Sequence, residues 1–251
     1  LPPFESYSME GRTYRYQKDG IGLPFGYGLS YANCDYREVK VADDARSVSV
    51  RLENSSGRNA VETVQIYVET PNSGRGAPLV SLRGFAKVAV PAKSSVTAVV
   101  PLDRDAFTEV GSDGRIAAVA GRCRVIAASA APCDRSRELG VRQCETVFVA
   151  RPRLLFFTSQ SCRRCRRLEK DVFSTQEWAD GLGAALEVER IDLSGAETPS
   201  AAARYGISRK GSFVLLPAGG EREAAKLEPC EDFAKLDATV RAACVGLDNR
   251  R

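Results

Sequence analysis

Histidine is absent from this chain, and no stretch of its 251 residues approaches the ~20 consecutive apolar positions that a membrane-spanning helix needs. The first absence leaves the eight cysteines without the usual partner in a mixed zinc site. The second leaves no helical membrane span and predicts a soluble protein. No signal peptide is visible either, although a leader lying upstream would leave no trace here. The net charge is only +4 and largely arginine, and no basic cluster interleaves with aromatics, so nucleic acid is not an expected partner. What is present suffices for two modest cores. Hydrophobic residues make up 43% and charged residues 27%, with Leu, Val and Ala throughout, which argues against disorder.

The most informative motif is Cys162-Arg163-Arg164-Cys165. It joins an apolar run, Leu154 to Phe157, to a stretch with Leu168 and Val172 on one helical face. If the helix starts at Cys162, that sulfur meets the positive end of the dipole with Arg163, Arg164, Arg166 and Arg167 close by in sequence. A free cysteine titrates near ~8.5, and such surroundings lower that by several units, so a nucleophilic thiolate at neutral pH is expected at Cys162, tuned by Arg163 and Arg164. Cys165, one turn on, is placed to close a disulfide. Two plainer readings stand beside the redox one: a static disulfide, or half of a metal site. Zinc calls for a second tight pair, and the downstream cysteines, Cys230 and Cys244, are far apart, so no metal and no cofactor is expected.

The residues after the motif read as one α/β unit. Ser174-Thr175-Gln176-Glu177 predicts a capping box opening a helix through Trp178, and Leu186 to Ile191 alternates like a strand. Thr198-Pro199 opens another helix to Tyr205-Gly206, Ser212 to Leu216 is a strand, and Pro217 to Gly220 turns the chain toward Ala224 to Leu227. A last helix is predicted over 231–243, with Phe233, Leu236, Val240 and Cys244 at helical spacing, so Cys244 reads as core.

With that order in place, about residues 151 to 245 resemble the thioredoxin superfamily, and FFTSQSCRRCRRLEKDVFSTQEW is most similar to the thioredoxin-like domains that end the DsbD-type transmembrane disulfide reductases. The resemblance implies that Cys162 attacks a substrate disulfide and Cys165 resolves the mixed disulfide, with protein or small-molecule disulfides and thiols as partners. It also implies a substrate loop at Ser208, Gly211 and Ser212. Three departures stand out. Ser161 occupies a frequent tryptophan position, Phe156 lies near the position of a buried acid, and Gly211 replaces the usual cis-proline. A glycine there has no reason to adopt a cis bond. On the resemblance, Gly211→Pro is expected to improve reduction of protein disulfides while leaving small disulfides nearly unaffected.

Residues 39–149 are different in character. Val48, Val50, Leu52; Val64, Ile66, Val68; Phe85, Val88, Val90; Val96, Ala98, Val100; Val125; and Val147, Val149 alternate with polar residues. Turn-formers at Asn54 to Gly57, Pro71 to Gly74, Pro91 to Lys93 and Gly111 to Gly114 separate these runs at the spacing of a β-sandwich.

GRTYRYQKDGIGLPFGYGLSY (Gly11 to Tyr31) and PLVSLRGFAKVAVPAKSSVTAVVPLDRDAF (Pro78 to Phe107) resemble the fibronectin type III-like module that ends many family 3 glycoside hydrolases of the β-glucosidase and β-xylosidase type. The fold class expected is therefore two domains: an all-β fibronectin type III-like sandwich over 1–150, with about 1–31 as lead-in from a glycosidase catalytic domain, followed by an α/β thioredoxin-like fold over 151–251. The resemblance makes the chain look like the C-terminal part of a larger protein with an upstream glycosidase domain, and a start at Leu1 agrees. It puts the family's catalytic aspartate and acid/base residue upstream, so no glycoside hydrolysis is expected from this chain. Tyr14, Tyr16, Phe25, Tyr27 and Tyr31 are expected mainly to pack between domains. The cysteine content and the export common in such glycosidases point to a periplasmic or secreted setting. Cys133 and Cys144 flank a loop and are candidates to bridge, as is Cys123 with either; spacing leaves the connectivity open. In the alternative reading, both domains are non-catalytic: a structural sandwich and a degenerate thioredoxin-like interaction module.

Overall fold

The computed structural model describes residues 3, 5–71, 77–110, 114–195, 199–229 and 232–247. Cys230, Glu231, Thr198 and parts of the turns expected at Pro71 to Gly74 and Gly111 to Gly114 lie outside the described residues. The chain divides into two compact units, Leu1–Ala106 with Arg122–Val149, and Phe107–Gly121 with Ala150–Arg251. The chain therefore passes between units after Val149 and twice more, at either end of 107–121.

The first unit follows a short helix α1 (Thr13–Tyr16) with β1 (Cys34–Val41), β2 (Ser47–Asn54), β3 (Ala60–Glu69), β4 (Ser81–Val90) and β5 (Ser94–Pro101). The chain then makes the hairpin β6 (Thr108–Val110) and β7 (Ile116–Val119) before β8 (Gly121–Ala128), α2 (Asp134–Glu138) and β9 (Gln143–Ala150). Two sheets result, β1-β2-β5 and β4-β3-β8-β9. Alternation decides which side chains enter the core: Val48, Val50 and Leu52 of β2, Val64, Ile66 and Val68 of β3, and Val100 of β5 are all buried. At ~1.5–3 kcal/mol for each such side chain, this stripe is the main force holding the sandwich. Asn54, also buried, ends β2 by donating to the carbonyls of Arg58, Val90 and Pro91 at 2.8, 3.1 and 3.2 Å, which ties the β2–β3 turn to the end of β4. Gly84 lets β4 approach the end of β5, where a Cβ would run into the Pro101 carbonyl.

Three expected core positions face the other way. Phe85, Val147 and Val149 are exposed, whereas Cys144, Thr146 and Phe148 take the more buried side of β9. The run Thr146-Val147-Phe148-Val149 has apolar residues in both phases, and the larger Phe148 takes the inner one. Tyr14 stacks on Phe25 at 4.6 Å and meets Tyr67 edge-on at 6.0 Å, covering its own sheet, while Tyr31 is exposed. Cys34, Cys123, Cys133, Cys144 and Cys244 are free thiols, so the bridges considered among Cys123, Cys133 and Cys144 are not formed.

The second unit is built on the sheet β11-β10-β12-β13. Its strands are β10 (Arg153–Thr158), β11 (Glu187–Asp192), β12 (Ser212–Leu216) and β13 (Ala225–Leu227). β10 pairs parallel with β11 and antiparallel with β12, which pairs antiparallel with β13. The middle strands are buried on both faces, as their unbroken apolar runs require. On one face Leu154, Phe156, Phe213 and Leu215 pack with Leu168 of α3 (Arg163–Leu168), Trp178 of α4 (Gln176–Asp180), Leu182 of α5 (Leu182–Ala185) and Leu236 and Val240 further along the chain. On the other, Leu155, Phe157, Val214 and Leu216 pack with Ala202 and Tyr205 of α6 (Ser200–Tyr205). Leu236 and Val240 belong to α7 (Phe233–Ala242), which Asp232 caps by accepting from the Lys235 N–H at 2.8 Å.

Local details refine the sequence reading. The cap of α4 is Thr175, whose hydroxyl accepts from the Trp178 N–H at 3.2 Å; Ser174 instead closes a wide turn, Glu169–Phe173, by donating to the Glu169 carbonyl. Cys244 leaves the helical register after α7 and forms a short strand, β14 (Cys244–Val245), paired parallel with β7. The Ala118 and Ala120 N–H groups donate to the carbonyls of Ala243 and Val245 at 2.9 and 2.8 Å, so the hairpin is bonded to the end of this unit.

Candidate functional site

Cys162 and Cys165 form a disulfide just beyond the C-terminal end of β10. Cys162 caps α3 and its sulfur accepts from the Cys165 N–H at 3.1 Å. The two cysteines are not equivalent: Cys162 is partly exposed, whereas Cys165 is buried against Leu168 and the aromatic core. Beneath them Phe156 stacks on Phe213 at 4.8 Å and meets Phe173 at 5.4 Å. A ring therefore fills the place where the resemblance puts an acid. An outside sulfur reaches Cys162 first, and Cys165 sits behind it.

The four arginines of the motif divide by position. Arg163, Arg166 and Arg167 are exposed, and Arg166 donates through Nη1 to the Gln160 carbonyl, bracing the segment that leads into Cys162. Arg164 is half-buried and lies over Gly211, where a Cβ would come 3.3 Å from its Cδ. Gly211 is buried, has a φ of +89°, and donates its N–H to the Phe157 carbonyl at 2.7 Å. Ser212 follows in β12 and pairs with Phe157. Ser208 is exposed three residues before Gly211. The structure thus brings Cys162, Cys165, Arg164, Gly211 and Ser212 together and leaves Arg163 and Ser208 on the surface. It also alters what proline would do at 211. Proline fixes φ near −65° and has no N–H, so it fits neither the dihedral nor the hydrogen bond found there.

A polar rim around the disulfide was not foreseen from the sequence. Lys210 donates from Nζ to the Ser161 hydroxyl at 3.2 Å, and the Gln160 N–H donates to the Ser194 hydroxyl at 3.2 Å. Asp192, opposite Thr158 in the β10–β11 ladder, accepts from the Ser194 N–H at 2.8 Å. Hydrogen bonds from Ser194 hold the Asp192 carboxyl below the usual range, and Lys210 adds to this. The signals were single polar residues in three separate segments, which only the fold joins. Cys244 is removed from this chemistry, since burial pushes its thiol up to about 12. Among the described residues, no group of three or more Cys, Asp or Glu is placed to hold a metal ion.

The first unit has a cleft of about 330 Å³ lined by Tyr27, Cys34, Glu62 and Arg142 among others. Tyr36 donates to Glu62 at 2.9 Å, and desolvation raises the Glu62 carboxyl. Among the described residues that line it, Glu62 is the only acid, so these residues do not form the facing carboxylate pair that glycoside hydrolysis uses.

Residues 62–131 match the model of the fibronectin type III-like domain. The chain carries a fibronectin type III-like domain, most of whose matched residues belong to the first unit. A xylan 1,4-β-xylosidase of Xylanibacter ruminicola is 41% identical to this chain over 111 residues, which are 43% of this chain and 13% of the relative. A periplasmic β-glucosidase of Salmonella typhimurium is 26% identical over 125 residues, covering 43% of this chain and 16% of the relative. A crystal structure of a Bifidobacterium adolescentis GH3 β-glucosidase aligns with a TM-score of 0.44 at 26% identity, over 52% of this chain and 19% of that one. The fibronectin type III-like domain is thus shared with β-xylosidase and β-glucosidase relatives, and this chain spans less than a fifth of their length. No helix among the described residues is long and apolar enough to cross a membrane.

Proposed function

We propose that the second unit is a thioredoxin-like thiol-disulfide oxidoreductase domain, attached to the accessory fibronectin type III-like domain of a family 3 glycoside hydrolase-like protein that works in the periplasm or outside the cell. The observation that carries the redox half is the asymmetry of the cysteine pair, with Cys162 partly exposed at the start of α3 and Cys165 buried behind it. In the reduced chain, the Cys162 thiolate attacks one sulfur of a substrate disulfide. A mixed disulfide forms and the first substrate thiolate leaves, taking a proton from solvent. Cys165 then gives up its proton and attacks the Cys162 sulfur, releasing the second substrate thiol. The substrate gains two electrons and the chain loses two, ending as the Cys162–Cys165 disulfide. A dithiol donor returns the pair to its reduced form. The exposed arginines favour the Cys162 thiolate, and Arg166 steadies the loop before it.

The glycosidase half rests on the shared domain and on the β-xylosidase and β-glucosidase relatives. A periplasmic relative supports the compartment. Removing the resolver tests the redox half. Cys165→Ser should accumulate a mixed disulfide at Cys162 on exposure to an activated disulfide, identified by mass; labelling spread evenly over the free cysteines would refute it.

One observation favours a second reading, in which the unit binds partners without turning them over. The Gly211 N–H is already spent on Phe157 and no cis bond precedes it, so the preformed substrate-pairing edge implied by the family's cis-proline is lacking. Absence of any trapped mixed disulfide would favour it.

A further inference from the structure

Resting on the oxidoreductase reading, we infer that this site selects acidic partners: peptide disulfides whose cysteines are flanked by carboxylates. The segments beside Cys162 are predominantly basic. Segments 159–171 and 208–211 carry the exposed Arg163, Arg166, Arg167, Lys170, Arg209 and Lys210 against two acids, Glu169 and Asp171. Glu169 is already neutralised, since Arg190 grips both its carboxylate oxygens at 2.6 and 2.8 Å. Glu228 offsets Arg209 through a 3.3 Å contact between two exposed side chains, and Asp192 lies near Lys210. The balance that remains is strongly positive.

Arg163 and Arg167 matter most here. Both are exposed, and neither has a hydrogen bond or ion pair among the described residues. Their charge therefore faces solvent and any approaching partner. Within a Debye length of about 8 Å at physiological salt, such a rim raises the encounter rate of anionic partners and opposes cationic ones. A basic partner would also have to press like charges together as it docked, which costs affinity as well as rate. Lys210 donates to Ser161 next to Cys162, so one cation is fixed beside the attacked sulfur by a hydrogen bond.

The test uses the full chain with its Cys162–Cys165 pair reduced, and two peptides of equal length closed by one disulfide, flanked by glutamates in one and lysines in the other. Second-order exchange rates are measured at low and high salt, each divided by the rate of the same peptide with dithiothreitol, which removes the peptide's own reactivity. The normalised glutamate-to-lysine ratio should be about tenfold or more at low salt and should collapse in high salt, in keeping with steering effects of about 10 to 1,000-fold. Both peptides meet the same sulfur, so the ratio is insensitive to thiolate tuning. Arg163→Gln with Arg167→Gln should lower the ratio at least about threefold, and Arg167→Gln alone should lower it measurably. A ratio near one, or one unmoved by salt and by these variants, overturns the selectivity while leaving the oxidoreductase intact. No exchange with either peptide overturns both.

Discussion

Gly211 offers a graded perturbation whose size follows from the geometry. In Gly211→Ala the N–H bond to Phe157 is kept, and the cost is that of holding an L-residue at φ +89°, ~1–2 kcal/mol. The new methyl is tight only against the Arg164 Cδ, at 3.3 Å, where that arm can shift, and makes an ordinary contact with the Pro229 Cβ at 3.6 Å. Gly211→Pro does more damage. Its ring demands a φ about 150° away from +89°. It also removes the donor to Phe157 and strands a carbonyl in a buried strand, which alone costs ~1–3 kcal/mol. The sum is ~3 kcal/mol or more. Trp178 is the single tryptophan and packs in the second unit's core, so urea unfolding followed by its fluorescence reads this unit alone. Alanine should lower stability modestly and proline by at least twice as much, and proline should not improve insulin reduction. A proline variant as stable as wild type would refute the reasoning, because the loop would then not run through a left-handed glycine bonded to Phe157.

In the sandwich, Asn54→Ala removes three donated hydrogen bonds to backbone carbonyls and should cost ~2–4 kcal/mol in urea unfolding followed by circular dichroism; a loss below ~0.5 kcal/mol would contradict the role given to that amide. The Cys244 thiol is raised from 9.0 to about 12 in the folded chain, so the folded state holds its proton more tightly than the unfolded one. Its contribution is full below pH 9 and is lost as pH rises from 9 toward 12, at ~1.4 kcal/mol per pH unit. Cys244→Ala should flatten that part of the stability profile, and an unchanged slope would count against the desolvated thiol. Neutralising Arg163 and Arg164 should lower the potential of the disulfide by tens of millivolts in a glutathione titration, at ~30 mV per 1.4 kcal/mol; an unchanged potential would mean that these arginines do not tune the sulfur.

Much of the sandwich was legible because Val48, Val50 and Leu52 allow only one phase of burial. Phe85, Val147 and Val149 were misplaced because their strands carry apolar residues in both phases, and pleating alone does not choose between them. The strand before the cysteines, the start of α3 and the turn into β12 followed from local signals. Thr175 displaced Ser174 as a cap because Ser174 was already needed to close the wide turn at 169–173. Cys244 fitted helical spacing yet joined β7, since the pairing that holds it comes from a hairpin more than a hundred residues earlier. At the site, the cysteine pair was legible from its spacing alone. Lys210, Asp192, Ser194 and the N–H of Gly211 were not, because each gains its meaning from a partner on another segment.

The most direct measurement is steady-state exchange by the full chain, comparing wild type with Cys162→Ser and Cys165→Ser against a small aromatic disulfide in the presence of a dithiol donor. If Cys162 is the nucleophile and Cys165 the resolver, wild type turns over repeatedly, Cys165→Ser, pre-reduced and freed of the donor, releases one aromatic thiol per chain and stops as a mixed disulfide, and Cys162→Ser does neither. Turnover that survives in Cys162→Ser, or a wild type no faster than buffer although the pair is fully reduced, would contradict the assignment of this unit as an oxidoreductase.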